Sequence, residues 1–155
     1  MGVSQDLAFA MLVKNGWNIE WTKEAFGNDL DYVQKTFKFE VGQCSDMKKG
    51  EPFLCPVCYD EYEQKDVIVL EDCGHGLCTE CYKHHLLAKI SLGPECVHSI
   101  CPDMKCNMII PPRVFKSILT TKQYAQYKMH LVNSFVNISK QAKFCPGRNC
   151  DLICE

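Results

Sequence analysis

The chemistry of this sequence is concentrated in eight residues between positions 55 and 106. They read Cys55-x2-Cys58, then fourteen residues, then Cys73-x-His75-x2-Cys78-x2-Cys81, and after nineteen more, Cys101-x4-Cys106. Seven thiols and one imidazole in four close pairs make a soft ligand set. Zinc takes four such ligands in a tetrahedron at about 2.0–2.3 Å, and one turn of backbone presents two of them. Two pairs must therefore meet at each metal. A zinc with four protein ligands keeps no open position for water, so such sites hold loops together rather than activate a substrate. A single Cys-x2-Cys pair would say little; four pairs with His75 at the fourth place are specific.

The competing use of cysteine is the disulfide. The chain has twelve cysteines in 155 residues, a share close to the roughly 8–10% of stapled scaffolds. Disulfides need an oxidising compartment, and no basic, apolar secretory leader opens the sequence. The cysteines also fall in islands, with none in residues 1–43 or 107–144. A disulfide scaffold spreads its staples through the chain, so zinc held by thiolates in the cytoplasm or nucleus is the expectation. The net charge of −2 gives no cationic surface for nucleic acid. No run approaches the ~18 apolar residues of a membrane span. Met1-Gly2 lacks the Ser or Thr at position 6 that myristoylation needs, since Asp6 stands there.

Spacing does not decide which pairs share a metal. Pairs one and two, then three and four, would be sequential; one with three and two with four would be interleaved. Only two residues separate His75 from Cys78, so the two sites must be tied together. Cys96 competes with Cys101 for the seventh place because both stand five residues before another cysteine; the later pair is favoured. Cys44 is expected to be a free thiol. His84, His85 and His98 lack ligand spacing and are expected at the surface or in packing roles.

The surrounding elements are helical. Residues 4–38 read as three short helices. The first is capped by Ser4, carries Leu7, Ala8, Met11 and Leu12, and stops at Asn15-Gly16. The second opens near Asn18 or Thr22 and carries Ile19, Trp21, Ala25 and Phe26. The third runs from about residue 28 to 37. A polar, Gly-containing linker follows, then the cysteine block. Pro111-Pro112 opens a short helix with Val114, Phe115, Ile118 and Leu119. Tyr124, Tyr127, Leu131, Phe135 and Ile138 recur at steps of three and four, which gives a long helix with one apolar stripe between about 121 and 143. Cys145 and Cys150 come last.

The ligand order Cys-Cys-Cys-His-Cys-Cys-Cys-Cys resembles a RING domain, whose cross-brace is interleaved. That resemblance implies one zinc on Cys55, Cys58, Cys78 and Cys81 and a second on Cys73, His75, Cys101 and Cys106. The final x4 spacing, Leu54-Cys55-Pro56-Val57-Cys58-Tyr59, Cys101-Pro102, Asn133-Ser134-Phe135 and Phe144-Cys145-Pro146 with Cys150 are similar to the RING-between-RING ubiquitin ligases. The N-terminal Asn15-Gly16-Trp17-Asn18 and Asp29-Leu30-Asp31 resemble the ubiquitin-associated-like domain of their Ariadne subfamily. The implied fold is a small zinc-stapled α+β protein: a cross-brace RING with two structural zincs, after a three-helix bundle and before a helical linker. The implied division is 1–40 ubiquitin-associated-like, 41–53 linker, 54–112 RING, 113–143 helical linker, and 144–155 the start of an in-between-RING zinc domain. Cys145 and Cys150 begin a third site, with Cys154 near it, that these residues do not complete.

Ligases of this family pass ubiquitin through a cysteine in a second RING, and no cysteine here matches it. The chain is therefore expected to be an N-terminal fragment or short form, able to recruit a ubiquitin-charged conjugating enzyme but not to finish the relay. The resemblance implies that Pro56, Val57, Tyr82 and Pro102 meet that enzyme. Asn107 and Met108 stand where an ordinary RING carries a cation for direct transfer, which suits transfer to a cysteine. Ubiquitin or a ubiquitin-like modifier is a further implied partner. The competing expectation is a zinc-stapled interaction module without ligase activity.

Overall fold

The computed structural model of the chain describes residues 4–28, 52–139, 142–148, 150 and 152–154. Helix α1 spans Gln5–Lys14. Ser4 Oγ accepts the Leu7 N–H at 3.0 Å, and Asp6 and Lys14 suit the two ends of the helix dipole. The chain then turns through Gly16 (φ 59°) and Trp17 (φ 60°). A left-handed conformation costs a bulky L-residue roughly 1–2 kcal/mol, and neighbours hold Trp17 there. Its indole N–H donates to Ser134 Oγ at 3.1 Å, and its ring stands edge-on to Phe9 and Phe135. Helix α2 (Ile19–Asn28) opens at Asn18, whose Oδ1 accepts the Trp21 N–H. Ile19 and Trp21, which this helix carries, are exposed. The third helix, Cys44 and residues 41–51 of the linker lie outside the described residues.

The cysteine block is made of very short antiparallel pairs. β1 (Phe53–Leu54) pairs with β2 (Glu61–Tyr62), and β3 (Val67–Val69) pairs with β4 (Gly76–Cys78). A Cβ at Gly76 would come within 3.1 Å of Val69 Cγ2 and 3.3 Å of the Ile68 carbonyl, so glycine permits this close hairpin. β4 leads directly into helix α3 (Thr79–Ser91), followed by a 3-10 turn at Gly93–His98. An Ile100–Ile109 bridge closes the loop between them. Helix α4 (Pro112–Ile118) opens on the two prolines. Helix α5 (Thr121–Ile138) begins with a reciprocal capping box between Thr120 and Gln123. A last pair joins β5 (Lys143–Phe144) to β6 (Ile153–Cys154).

One core joins α1, the cysteine block, α4 and α5. Ala10, Met11 and Val13 of α1 join Leu70, Leu77, Tyr82, Leu86, Val97, Ile110, Phe115 and Tyr127 in a single buried cluster. Phe115 and Tyr127 stack with ring centroids 3.8 Å apart. The α5 stripe is as expected at Tyr124, Tyr127 and Leu131, then moves round the helix. Val136 is buried, whereas Phe135 and Ile138 are half exposed, because their neighbour is the α1–α2 turn and not the cysteine block. The helix ends at Ile138, before the expected 143, where the Ser139 side chain accepts the Ala142 N–H.

Polar contacts tie α1 to the block at its other end. Ser4 Oγ donates to Asp72 at 2.7 Å; Arg113 of α4 donates to Asp6 and lies 3.5 Å from Glu71. Because the core is shared, a cavity in its centre should be felt in α1 as well as α5. Phe115→Ala is expected to cost about 3–5 kcal/mol in denaturant unfolding, and hydrogen exchange should quicken in both helices together.

Candidate metal centre

The first ligand pair sits in the loop between β1 and β2. The Cys55 N–H donates to the Asp60 carbonyl at 3.0 Å, and the Tyr59 N–H to the Cys55 carbonyl at 2.9 Å. Tyr59 adopts φ 61°, which closes the loop and turns both sulfurs inward. The third pair lies at the β4–α3 junction. Cys78 is the N-cap of α3, and its Sγ accepts the Cys81 N–H at 3.4 Å. The positive end of that helix therefore faces sulfur, where it favours thiolate. The Sγ atoms of Cys55, Cys58, Cys78 and Cys81 all lie within 4.8 Å of one another.

The second pair turns on Gly74, at φ 72°, whose N–H reaches the Leu70 carbonyl at 2.7 Å. This tight turn brings Cys73 and His75 to one side. The fourth pair comes from the loop closed by the Ile100–Ile109 bridge. The Cys101 N–H donates to the Met108 carbonyl at 2.8 Å, and the Met108 N–H to Cys106 Sγ at 3.5 Å. Cys73, His75, Cys101 and Cys106 again bring their ligand atoms within 4.8 Å of one another. The pairs thus meet one with three and two with four, the interleaved order. Only Gly76 and Leu77 of β4 separate His75 in one cluster from Cys78 in the other.

The electrostatics of each cluster favour a cation. Burial opposes ionisation of Cys55, but the N–H groups of Cys58, Cys78 and Val57 outweigh it and bring the thiol down to about 6. Proton sharing with Cys106 and Cys73, together with burial, holds Cys101 far above the ordinary thiol range. Cys106, accepting from Cys101 and Cys73, is drawn down to about 2. Crowded sulfurs cannot all be thiolates unless a positive charge sits among them. No disulfide joins any described cysteine. Four convergent soft ligands without a carboxylate are the donor set of a tetrahedral structural zinc.

The other cysteines are placed differently. Cys96 is fully buried, apart from both clusters and close enough to Tyr127 to influence its hydroxyl. Cys145 and Cys150 form a further loop, in which the Cys145 N–H bonds to the Leu152 carbonyl and β6 brings Cys154 opposite Lys143. The Gly147 backbone and the thiols of Cys150 and Cys154 lower the Cys145 pKa. Among the described residues, only the two interleaved clusters gather three or more ligand atoms within 4.8 Å. His84 and His98 are exposed; His85 lies 3.3 Å from the Ile100 carbonyl, and burial lowers its pKa.

The expected docking residues divide. Val57 is 56% exposed, Pro56 is exposed and Pro102 half-buried. Tyr82 departs from the expectation: on the inner face of α3 it is 1% exposed, and a side chain so enclosed cannot meet a partner. Burial and the neighbouring Cys101, Cys73 and Cys106 keep its hydroxyl protonated. Exposed apolar neighbours that the ligand spacing does not single out are Leu54 and Tyr59 beside the first pair and Met104 within the fourth. Their signal was position alone, since each is a large apolar residue in or next to a ligand loop.

The RING-type zinc-finger family matches residues 55–93. Over its whole length the chain is 24% identical to a probable E3 ubiquitin-protein ligase ARI11 of Arabidopsis thaliana, of which it covers 29%. It is 26% identical to the E3 ubiquitin-protein ligase RNF14 of Danio rerio over 77% of the chain and 26% of that protein. With a probable E3 ubiquitin-protein ligase rbrA of Dictyostelium discoideum it shares 33% identity over 67% of the chain and 20% of that protein. The chain spans less than a third of the length of these curated relatives. Residues 55–93 thus match a RING-type zinc finger, and the chain is similar to partial lengths of proteins named as E3 ubiquitin-protein ligases.

The two cysteines that compete in sequence should separate in a metal assay. Cys101→Ser is expected to lower the zinc content measured by mass spectrometry, and Cys96→Ser to leave it unchanged.

Proposed function

We propose that this chain is the conjugating-enzyme-recruiting part of a RING-between-RING E3 ubiquitin-protein ligase. The observation that carries the reading is the pair of interleaved Cys/His clusters with Pro56, Val57 and Pro102 set around their ligand loops. In this reading each cluster holds one structural zinc: Cys55, Cys58, Cys78 and Cys81 the first, Cys73, His75, Cys101 and Cys106 the second. The bound ions supply charge that lets the sulfurs ionise together; they take no part in transfer. Cys145 and Cys150, with Cys154 nearby, supply part of a third site.

The docking face in this reading is Val57 with Pro56 and Pro102, joined by Leu54, Tyr59 and Met104. Small apolar side chains on stiff loops lose little entropy on binding, which favours compact recognition of an apolar patch on the conjugating enzyme. Met108, just past the last ligand, is buried, and Asn107 beside it is uncharged. That region offers no cation to clamp ubiquitin for direct transfer, so ubiquitin passes to a cysteine outside this chain. The thiolate clusters suit the reducing cytoplasm or nucleus.

Two measurements test this. Zinc analysis of the purified chain is expected to give two tightly held ions, and chelation to unfold the region around 54–110 with partial loss of helical signal. In titrations against a panel of ubiquitin-conjugating enzymes, at least one should bind, and Val57→Ala should weaken it about tenfold or more, the size of a truncated hot spot. Absence of any binding, or unchanged affinity in the variant, would sink the recruiting role.

A further inference from the structure

The four sulfurs of the first cluster are not supported alike. Cys55 and Cys78 are fully buried, and backbone N–H groups point at both: those of Cys58, Cys78 and Val57 at Cys55, and that of Cys81 at Cys78. Cys58 is only half-buried, and a side chain meets it instead. The Tyr62 hydroxyl lies 3.5 Å from Cys58 Sγ. The β1–β2 register fixes this contact, because Phe53 pairs with Tyr62 across the loop that carries Cys58. Once a cation takes Cys58 as thiolate, the sulfur has no proton to give, so the hydroxyl must be the donor.

We propose that Tyr62 is a positioning residue for the metal at the first cluster. Its hydroxyl draws negative charge from the Cys58 thiolate and holds the sulfur toward the ion, at one of the two half-buried ligands of the cluster. Groups in this position around other metal sites alter affinity by about 10–100-fold when removed. β1 and β2 are two residues each, so strand pairing adds little to the hold on Cys58. The inference deepens the metal reading above and rests on it.

The test uses the zinc-loaded chain with a chromogenic chelator that reports zinc release with time. Tyr62→Phe keeps the ring and the strand pairing and removes only the oxygen. One of the two ions is expected to leave about tenfold faster or more, and the other at the wild-type rate. In the cobalt-substituted chain, the sulfur-to-metal charge-transfer band should move to lower energy in Tyr62→Phe, a change that packing alone does not produce. Tyr62→Leu, which lacks ring and hydroxyl, should release the ion at least as fast as Tyr62→Phe, and Tyr59→Phe should match the wild type. If the Phe variant behaves as wild type and only the Leu variant is fast, ring packing is responsible and the role of Tyr62 falls. A wild-type chain that takes up no zinc would remove the metal reading itself, and the proposal with it.

Discussion

Hairpins of two or three residues make too few backbone hydrogen bonds to persist in water, and the cysteine block is built on two of them. What can hold them is the attraction between a cation and sulfurs that would otherwise repel. Each cluster draws ligands from two distant loops, so one centre closes two turns at once. The interleaving then couples the clusters, because β4 ends one site and begins the other. Gly74, Tyr59 and the cap of α3 follow from this demand: each turns a sulfur or imidazole toward a shared point, the first two in a left-handed conformation and the third as a helix cap.

Much of this was legible in the residues. The gathering of the eight Cys and His residues into two groups of four, the proline-opened helix, the start of the long helix and the Ser4 cap stand where the sequence puts them. Of the two starts it offers for the second helix, the structure uses Asn18. Ligand spacing is legible because coordination chemistry is local and strict. The α3 helix was harder to read, since Thr79–Ser91 mixes charged and apolar residues around a helix that is buried along one narrow side. Tyr82 shows the opposite failure. Its place one residue after a ligand suggests a surface role, but in a helix that position faces inward, and only the third dimension reveals it. The two-residue strands carry no periodicity at all. They exist because the ligand loops need closed ends.

The N-terminal helices are the least expected part of the architecture. Read from sequence, they form a small bundle with a thin core of its own. In the structure, Ala10, Met11 and Val13 fill the same core as Leu70 and Phe115, while Arg113 joins Asp6 to the loop that precedes Cys73. Trp17 extends the contact to α5 by a hydrogen bond and two edge-on aromatic contacts. The strain of its backbone is held by partners on both sides, so the α1–α2 turn and the end of α5 are ordered together.

That shared core bears on how such a protein can be divided. Boundaries drawn from ligand spacing, near residues 53 and 112, would sever both α1 and α5 from the 3-10 turn at Gly93–His98. The piece left between would keep all eight Cys and His residues and yet show water a bare apolar face around Val97 of the 3-10 turn. Its coordination would be intact while its solubility was lost. In this molecule the ligands decide where the loops go, but the helices on either side decide whether the finger can exist as a free particle.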